Sequence, residues 1–312
     1  MYCHKGKQNM RETSTAAIVN RALQHQTVVP GFNIPYLPMV EPVVRALRDT
    51  HSFGLIMVAR LEWEKFESGS LEAVSAEYRR HSDRRHTRLH LDHVPVIDED
   101  NLPVDYAEII GRAIGAGYES VMVDGSRLPL AENMACTAKV VALAHAAGVP
   151  VEAELGAVMG HEAGPLPPYE ELFASGKGFT DPDEARRFVV GTRVDWLSVA
   201  IGNIHGAISA ATRGQQKVAA RLNIEHLAQI NRAAGVPLVL HGGTGIRKEC
   251  ILDSIKHGIA KINVATAIRQ PYEQALGLGV AAAQHAVYRA MLAVIREDLE
   301  IENSAAVLNP GN

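Results

Sequence analysis

Eight short runs rich in β-branched residues alternate with longer segments of helical period. No other feature constrains the fold of this chain as strongly. The runs are VVPGFNI (28–34), FGLIMVA (53–59), TRLHLDHV (87–94), SVMVDGS (120–126), VPVEAELG (149–156), WLSVAIG (196–202), PLVLHGG (237–243) and KINVAT (261–266). Segments such as MVEPVVRALRDT, YAEIIGRAIGAGY, ENMACTAKVVALAHAAG, DPDEARRFVVGT, NIEHLAQINRAAG and KECILDSIKHG lie between them. Each carries apolar residues at i, i+3, i+4 spacing, and several end in Gly, as helix C-termini do. Strand–helix alternation gives a parallel sheet, and eight such units predict an α/β fold, a (β/α)8 TIM barrel. A doubly wound open sheet would want a Gly-rich phosphate loop after its first strand, and GFNIPYLPM is not one.

No linker or low-complexity run marks a second domain. The expectation is one barrel over 1–312, with a lead-in to about residue 27 and a helical extension from about 268. Those last helices would cap the barrel or meet another subunit. Two connections are long, 94–105 and the Gly/Pro-rich 157–184; long loops in compact domains are usually functional. A net charge of −4 gives no electrostatic case for nucleic acid. No apolar run has membrane-span length, and the N-terminus lacks a secretory apolar core. Cys3, Cys136 and Cys250 sit far apart without CxxC spacing, which fits a reducing cytoplasm.

Barrel enzymes place their chemistry at the C-terminal ends of the strands. Nearly all of the polar residues gather there. The first run ends at Asn33, the third at Asp92 and His93, the fourth at Asp124, Gly125 and Ser126, and the fifth at Glu152 and Glu154. GNIHG with His205 follows the sixth, HGGTG with His241 ends the seventh, and Asn263 and Thr266 lie in the eighth. Any one histidine read alone is more often a core residue. His93, His205 and His241 together could converge on the mouth, and three nitrogen ligands with an open fourth position describe a catalytic zinc site. His90, three residues before His93, is expected on the opposite strand face, in a structural or supporting role. HGGTG and NVAT follow the seventh and eighth runs, where barrels commonly bind phosphate. Each could also be only a turn.

HLDH, SVMVDGSRLPLAEN, VEAELG, FTDPDEA, VAIGNIHG, PLVLHGGTGI and KINVAT, in that order, resemble the class II zinc-dependent ketose-bisphosphate aldolases. This family includes the fructose- and tagatose-bisphosphate enzymes. The resemblance runs from about residue 28 to 270. It implies that His93, His205 and His241 hold one catalytic zinc ion, with Glu154 close to the metal. Asp92 would be the acid/base at the hydroxyl of the bond being broken. Glu162 would move the proton on the donor carbon, from a mobile loop. Asn33, Gly206, Gly242, Gly243, Thr244, Asn263, Ala265 and Thr266 would form the phosphate and dihydroxyacetone site, assisted by a monovalent cation, Na+ or K+. A small-molecule ketose phosphate and a homodimer or homotetramer complete the expectation. No Schiff-base lysine is needed, and Lys261, at the start of its run, lies at the wrong end of the strand for that role.

Four departures lie near the mouth. Residues 207–212 hold no cation where family members usually place a phosphate-contacting lysine; Arg213 or Lys217 would have to replace it. The loop after HLDH is longer than the common form. Arg127 stands where histidine is frequent, and His161 where some members have an acidic residue. NVAT resembles the tagatose-type branch more than the fructose-type. The leading reading is therefore reversible cleavage of a ketose (bis)phosphate to dihydroxyacetone phosphate and an aldehyde. The alternatives are the same chemistry on a deoxy, acidic or unphosphorylated ketose, and a non-catalytic barrel serving as a partner subunit. A barrel metallohydrolase would want an HxH pair after the first strand, and GFNIPY has none.

Overall fold

In the computed structural model, residues 13–156, 169–203 and 220–310 are described. Eight parallel strands close into a barrel in chain order: β1 (Val29–Asn33), β2 (Gly54–Ala59), β3 (Thr87–Pro95), β4 (Ser120–Asp124), β5 (Val151–Leu155), β6 (Trp196–Val199), β7 (Leu238–Leu240) and β8 (Ile259–Val264). Phe32 pairs with Val264 to seal the circle. Each overlaps one of the eight runs read from the sequence. Strands such as GLIMVA and IAKINV are buried along their whole length, because helices cover the outer face and side chains fill the inner one.

The helices are α1 (Thr15–Gln24), α2 (Val40–Asp49), α3 (Arg60–Lys65), α4 (Leu71–His81), α5 (Tyr106–Gly115), α6 (Leu130–Ala146), α7 (Tyr169–Ser175), α8 (Pro182–Thr192), α9 (Ile224–Ala234), α10 (Lys248–Lys256), α11 (Thr266–Ala275), α12 (Val280–Ala293) and α13 (Ala305–Leu308). Their ends follow local chemistry. Asp181 accepts from the Glu184 N–H at 2.9 Å to start α8, with Pro182 in its first turn, and Gly235 ends α9 at φ 66°. The sequence reading assigned no helix to α1, α3 or α4. α4 does bury Leu71, Val74, Ser75 and Tyr78, an i, i+3, i+4, i+7 face weakened by its serine.

The barrel floor is apolar. Ile18, Val19 and Ala22 of α1 and Ala305 and Leu308 of α13 pack under Val29, Leu55, Trp196 and Val239. α12 packs on α2 and α11, so the C-terminal extension covers one flank. No helix among the described residues is long and apolar enough to cross a membrane. The ladder breaks at two places. Leu91 pairs with Val121 but Val94 with Val123, so β3 carries one extra residue there. Leu238 pairs with Ile259 but Val239 with Lys261, so β8 carries another. Each such bulge re-aims the side chains beside it.

Candidate active site and metal centre

The inner face of the barrel turns from apolar to charged midway up. His90, Glu152 and Lys261 are fully buried there. Glu152 is the hub. It accepts from Trp196 Nε1 at 2.6 Å, pairs with Lys261 Nζ at 2.9 Å, and meets His241 Nε2 at 2.8 Å. His90 Nδ1 lies 2.8 Å from Ser120 Oγ, and its Nε2 is 3.6 Å from Glu152. Burial first, then the nearby Lys261 charge, push the His90 pKa down to about 3, so this ring is neutral. Burial would raise the Glu152 carboxyl, but Lys261 and the two histidines hold it well below the usual range.

Lys261 is not at the start of its strand. β8 begins two residues earlier, at Ile259, so Lys261 lies inside the barrel wall. Its ammonium donates to Asn263 Oδ1 at 2.6 Å. Asn263 Nδ2 in turn donates to Asp92 Oδ1 at 2.9 Å. From the neighbouring strand β1, Asn33 Nδ2 donates to Asp92 Oδ2, also at 2.9 Å. Asp92 is thus gripped at both oxygens by amides from β1 and β8. Its burial favours the neutral acid, but His93, Lys261, His241 and His90 outweigh that and hold its pKa at about 2.

Strict alternation predicts that His93 points away from the mouth. The extra residue in β3 and a left-handed φ of 26° at His93 bring it back. A non-glycine residue there costs about 1–3 kcal/mol and is kept only where surrounding contacts fix it. Here they do. His93 Nδ1 stands 3.5 Å from Asp124 Oδ2, and its ring meets the His241 ring edge-on at 4.5 Å. Ser126 holds Asp124 in place, donating from its N–H at 2.9 Å and from Oγ at 2.6 Å. Burial lowers the His93 pKa, but Asp92, Asp124 and Glu154 overcome it and raise it to about 10. His241 is raised as well: burial and His93 oppose protonation, and Glu152 and Glu154 prevail.

Donor atoms of Asp92, His93 and His241 lie within 4.8 Å of one another, as do those of His93, Asp124 and Glu154. Glu154 Oε2 is 3.0 Å from His241 Nδ1 and accepts from Ser198 Oγ at 3.2 Å. These nitrogen and carboxylate donors suit zinc. Glu162, His205, Gly206 and Arg213 lie outside the described residues, as do His161 and Lys217. The ends of β5 and β6 flank that stretch, and Thr180 ties them together: Oγ1 donates to the Leu155 carbonyl at 2.5 Å and accepts from the Ala200 N–H at 2.9 Å.

The loops after β7 and β8 meet where phosphate binding is expected. Gly242 has φ 68°. A Cβ on Gly243 would stand 2.8 Å from Ile262 Cδ1 and 3.1 Å from the Asn263 carbonyl, so the loop passes too close for a side chain. The Ala267 N–H reaches Thr244 Oγ1 at 3.4 Å, and α11 begins at Thr266, next to Ala265. A helix N-terminus favours anions. Arg127 meets the loop that follows β3. Arg127 Nη1 donates to the Asp98 carbonyl at 2.7 Å, and Arg60 stands 3.5 Å from the Asp98 carboxylate. Both arginines brace this loop.

One acidic residue at the mouth escaped the sequence reading. Glu62, in the first turn of α3, is 7% exposed and stands 3.4 Å from Asn33 Nδ2. Its only local signal is a glutamate at the third helical position, a common capping site.

Residues 13–306 match the family model described as fructose-bisphosphate aldolase class-II. A Bacillus subtilis (strain 168) protein named "Probable fructose-bisphosphate aldolase" is 34% identical over 258 residues, 81% of each chain. The crystal structure of the YdjI aldolase from Escherichia coli K12 superposes with a TM-score of 0.73 at 26% identity, covering 94% of this chain and 99% of that one. A fructose-bisphosphate aldolase from Campylobacter jejuni, 15% identical, has the same fold, with a TM-score of 0.72 over 94% and 98% of the chains. The chain belongs to the class II fructose-bisphosphate aldolase family and is an aldolase, a carbon–carbon lyase.

Proposed function

We propose that this aldolase is zinc-dependent and reversibly cleaves a ketose phosphate or bisphosphate to dihydroxyacetone phosphate and an aldehyde. The observation that carries this reading is Asp92, gripped by two amides and kept ionised by the cationic groups around it, beside His93 and His241 at the barrel mouth. His93, His241 and His205 would hold the ion, with Glu154 as an alternate or supporting donor. When bound, zinc would supply Lewis-acid stabilisation of the charge that builds beside the ketone.

The chain's own groups do the rest. Asp92 takes the hydroxyl proton as the carbon–carbon bond breaks, and returns it in the condensation direction. Its carboxylate needs no reorientation, because Asn33 and Asn263 fix it beforehand. Glu162 would exchange the proton at the donor carbon. Asn33, Gly206, Gly242, Gly243, Thr244, Asn263, Ala265 and Thr266 would line the dihydroxyacetone phosphate site, with a monovalent cation and Arg213 as further counter-charge. A cytoplasmic homodimer or homotetramer, built on one barrel domain per chain, goes with this reading.

The absence of a cation at 207–212 favours a second reading, the same chemistry on a ketose without the usual phosphate. Cleavage of fructose 1,6-bisphosphate, tagatose 1,6-bisphosphate and their unphosphorylated ketoses, read by coupled triose reduction with and without a chelator, separates the two. Chelator-sensitive cleavage of either bisphosphate supports the first reading. Cleavage confined to unphosphorylated ketoses replaces it with the second.

A further inference from the structure

Asp92 is gripped from two sides, and each grip has something behind it. On Oδ1 stands Asn263, fixed by Lys261. On Oδ2 stands Asn33, and behind Asn33 stands Glu62. β2 ends at Ala59, in register with Asp92. The chain then turns into α3, and Glu62 folds back so that Oε2 accepts the Ala59 N–H at 2.8 Å. The same oxygen stands 3.4 Å from Asn33 Nδ2. An amide nitrogen carries two hydrogens. One serves Asp92 at 2.9 Å and the other is directed at Glu62.

We propose that Glu62 is a positioning residue for Asp92: it fixes the Asn33 amide, and through that amide the Oδ2 oxygen of the proton-transfer carboxylate. The inference rests on Asp92 having that role. Burial pushes the Glu62 carboxyl up to about 8; Ala59 opposes this, Asp92 adds to it, and Asn33 and His93 oppose it. Of the two acids, Asp92 is the one whose surroundings favour the charge. The shorter of the two amide bonds goes to that charged partner, as expected for a charge-assisted bond. A glutamate that served only to cap α3 would need nothing beyond the Ala59 N–H and could stand in water. Glu62 instead sits buried between a helix start and the amide that holds Asp92.

The test compares zinc-loaded wild type, Glu62→Leu and Glu62→Gln in two reactions: proton exchange into dihydroxyacetone phosphate, and its condensation with glyceraldehyde 3-phosphate or glycolaldehyde. Exchange would use Glu162, whereas condensation needs Asp92. Losing a support for a reacting group costs about 10- to 100-fold, so Glu62→Leu is expected to lower the condensation kcat by that amount. The exchange rate at saturating dihydroxyacetone phosphate should stay within about threefold of wild type. Glu62→Gln keeps an acceptor oxygen for both N–H groups and should restore condensation to within about threefold. Glu62→Asp, which withdraws the carboxyl by one methylene, replaces the leucine variant if that fails to fold and should show the same split. Equal loss of both reactions, or no loss in either, overturns the inference and leaves Glu62 a helix cap. Wild type inactive in both reactions overturns the dihydroxyacetone phosphate reading on which the inference rests, a failure distinct from that of Glu62 itself.

Discussion

Glu152 Oε1 stands 2.8 Å from His241 Nε2, with both side chains fully buried. A carboxylate there fixes which ring nitrogen carries the proton. With Nε2–H held by Glu152, Nδ1 is the nitrogen that faces Glu154 and the mouth, and the one that would give up its proton to a metal. Partners of this kind typically contribute 10- to 100-fold to metal affinity. Glu152→Gln is therefore expected to weaken zinc binding by about 10- to 100-fold, read by competition with a chromophoric chelator. It should also lower the melting temperature, because Lys261 loses its buried counter-charge. Unchanged zinc affinity would remove Glu152 from the support of the metal centre.

In the proposed mechanism Asp92 and the histidines divide the work between proton transfer and metal binding. Asp92→Ala is expected to keep zinc at one ion per chain and to lose cleavage by about 100- to 10,000-fold, the usual range for a general acid–base. His205→Ala is expected to lose the metal. Metal analysis beside steady-state rates checks both. Zinc loss in the Asp92 variant, or full activity in either, contradicts the assignment.

The raised His93 pKa has a consequence for the zinc-free protein. The unfolded histidine titrates near 6.5 and the folded one near 10. The folded state therefore holds the extra proton between those values, and the stabilisation is fully present below 6.5. It is lost as pH rises towards 10. The melting temperature of zinc-free protein should fall across that window, and His93→Asn should flatten the fall. Zinc must displace the same proton, so binding at pH 7.5 should release protons, detected by calorimetry in buffers of different ionisation enthalpy.

Glu62 adds a second window. Its carboxyl titrates near 4.5 unfolded and near 8 folded. The folded state binds the extra proton, so the contribution of Glu62 is fully present below 4.5 and is lost as pH rises towards 8. Glu62→Gln removes the titration. It should melt a few degrees above wild type at pH 8 and close to it at pH 4.5. A wild-type excess at pH 8 would mean that the carboxyl is ionised in the folded protein.

The strands were legible because burial on both faces leaves unbroken β-branched runs, and each polar end residue stands out against them. Asn33 was visible in that way, but its partner Asp92 is 59 residues distant and only closure of the barrel joins them. His93 is a candidate ligand in the sequence although strand alternation aims it elsewhere; a bulge is a property of two strands, and one strand read alone does not reveal it. Lys261 was misplaced for the same reason, since β8 starts earlier than its β-branched run. Glu62 was missed because a glutamate in a helix's first turn normally faces water, and nothing local records that this one is buried.

The most direct measurement is zinc-dependent exchange of solvent deuterium into dihydroxyacetone phosphate, with dihydroxyacetone alongside and a chelated control. The account predicts exchange into the phosphate ester, abolished by chelation and restored by zinc. No exchange into either ketone with one zinc ion bound per chain would contradict it.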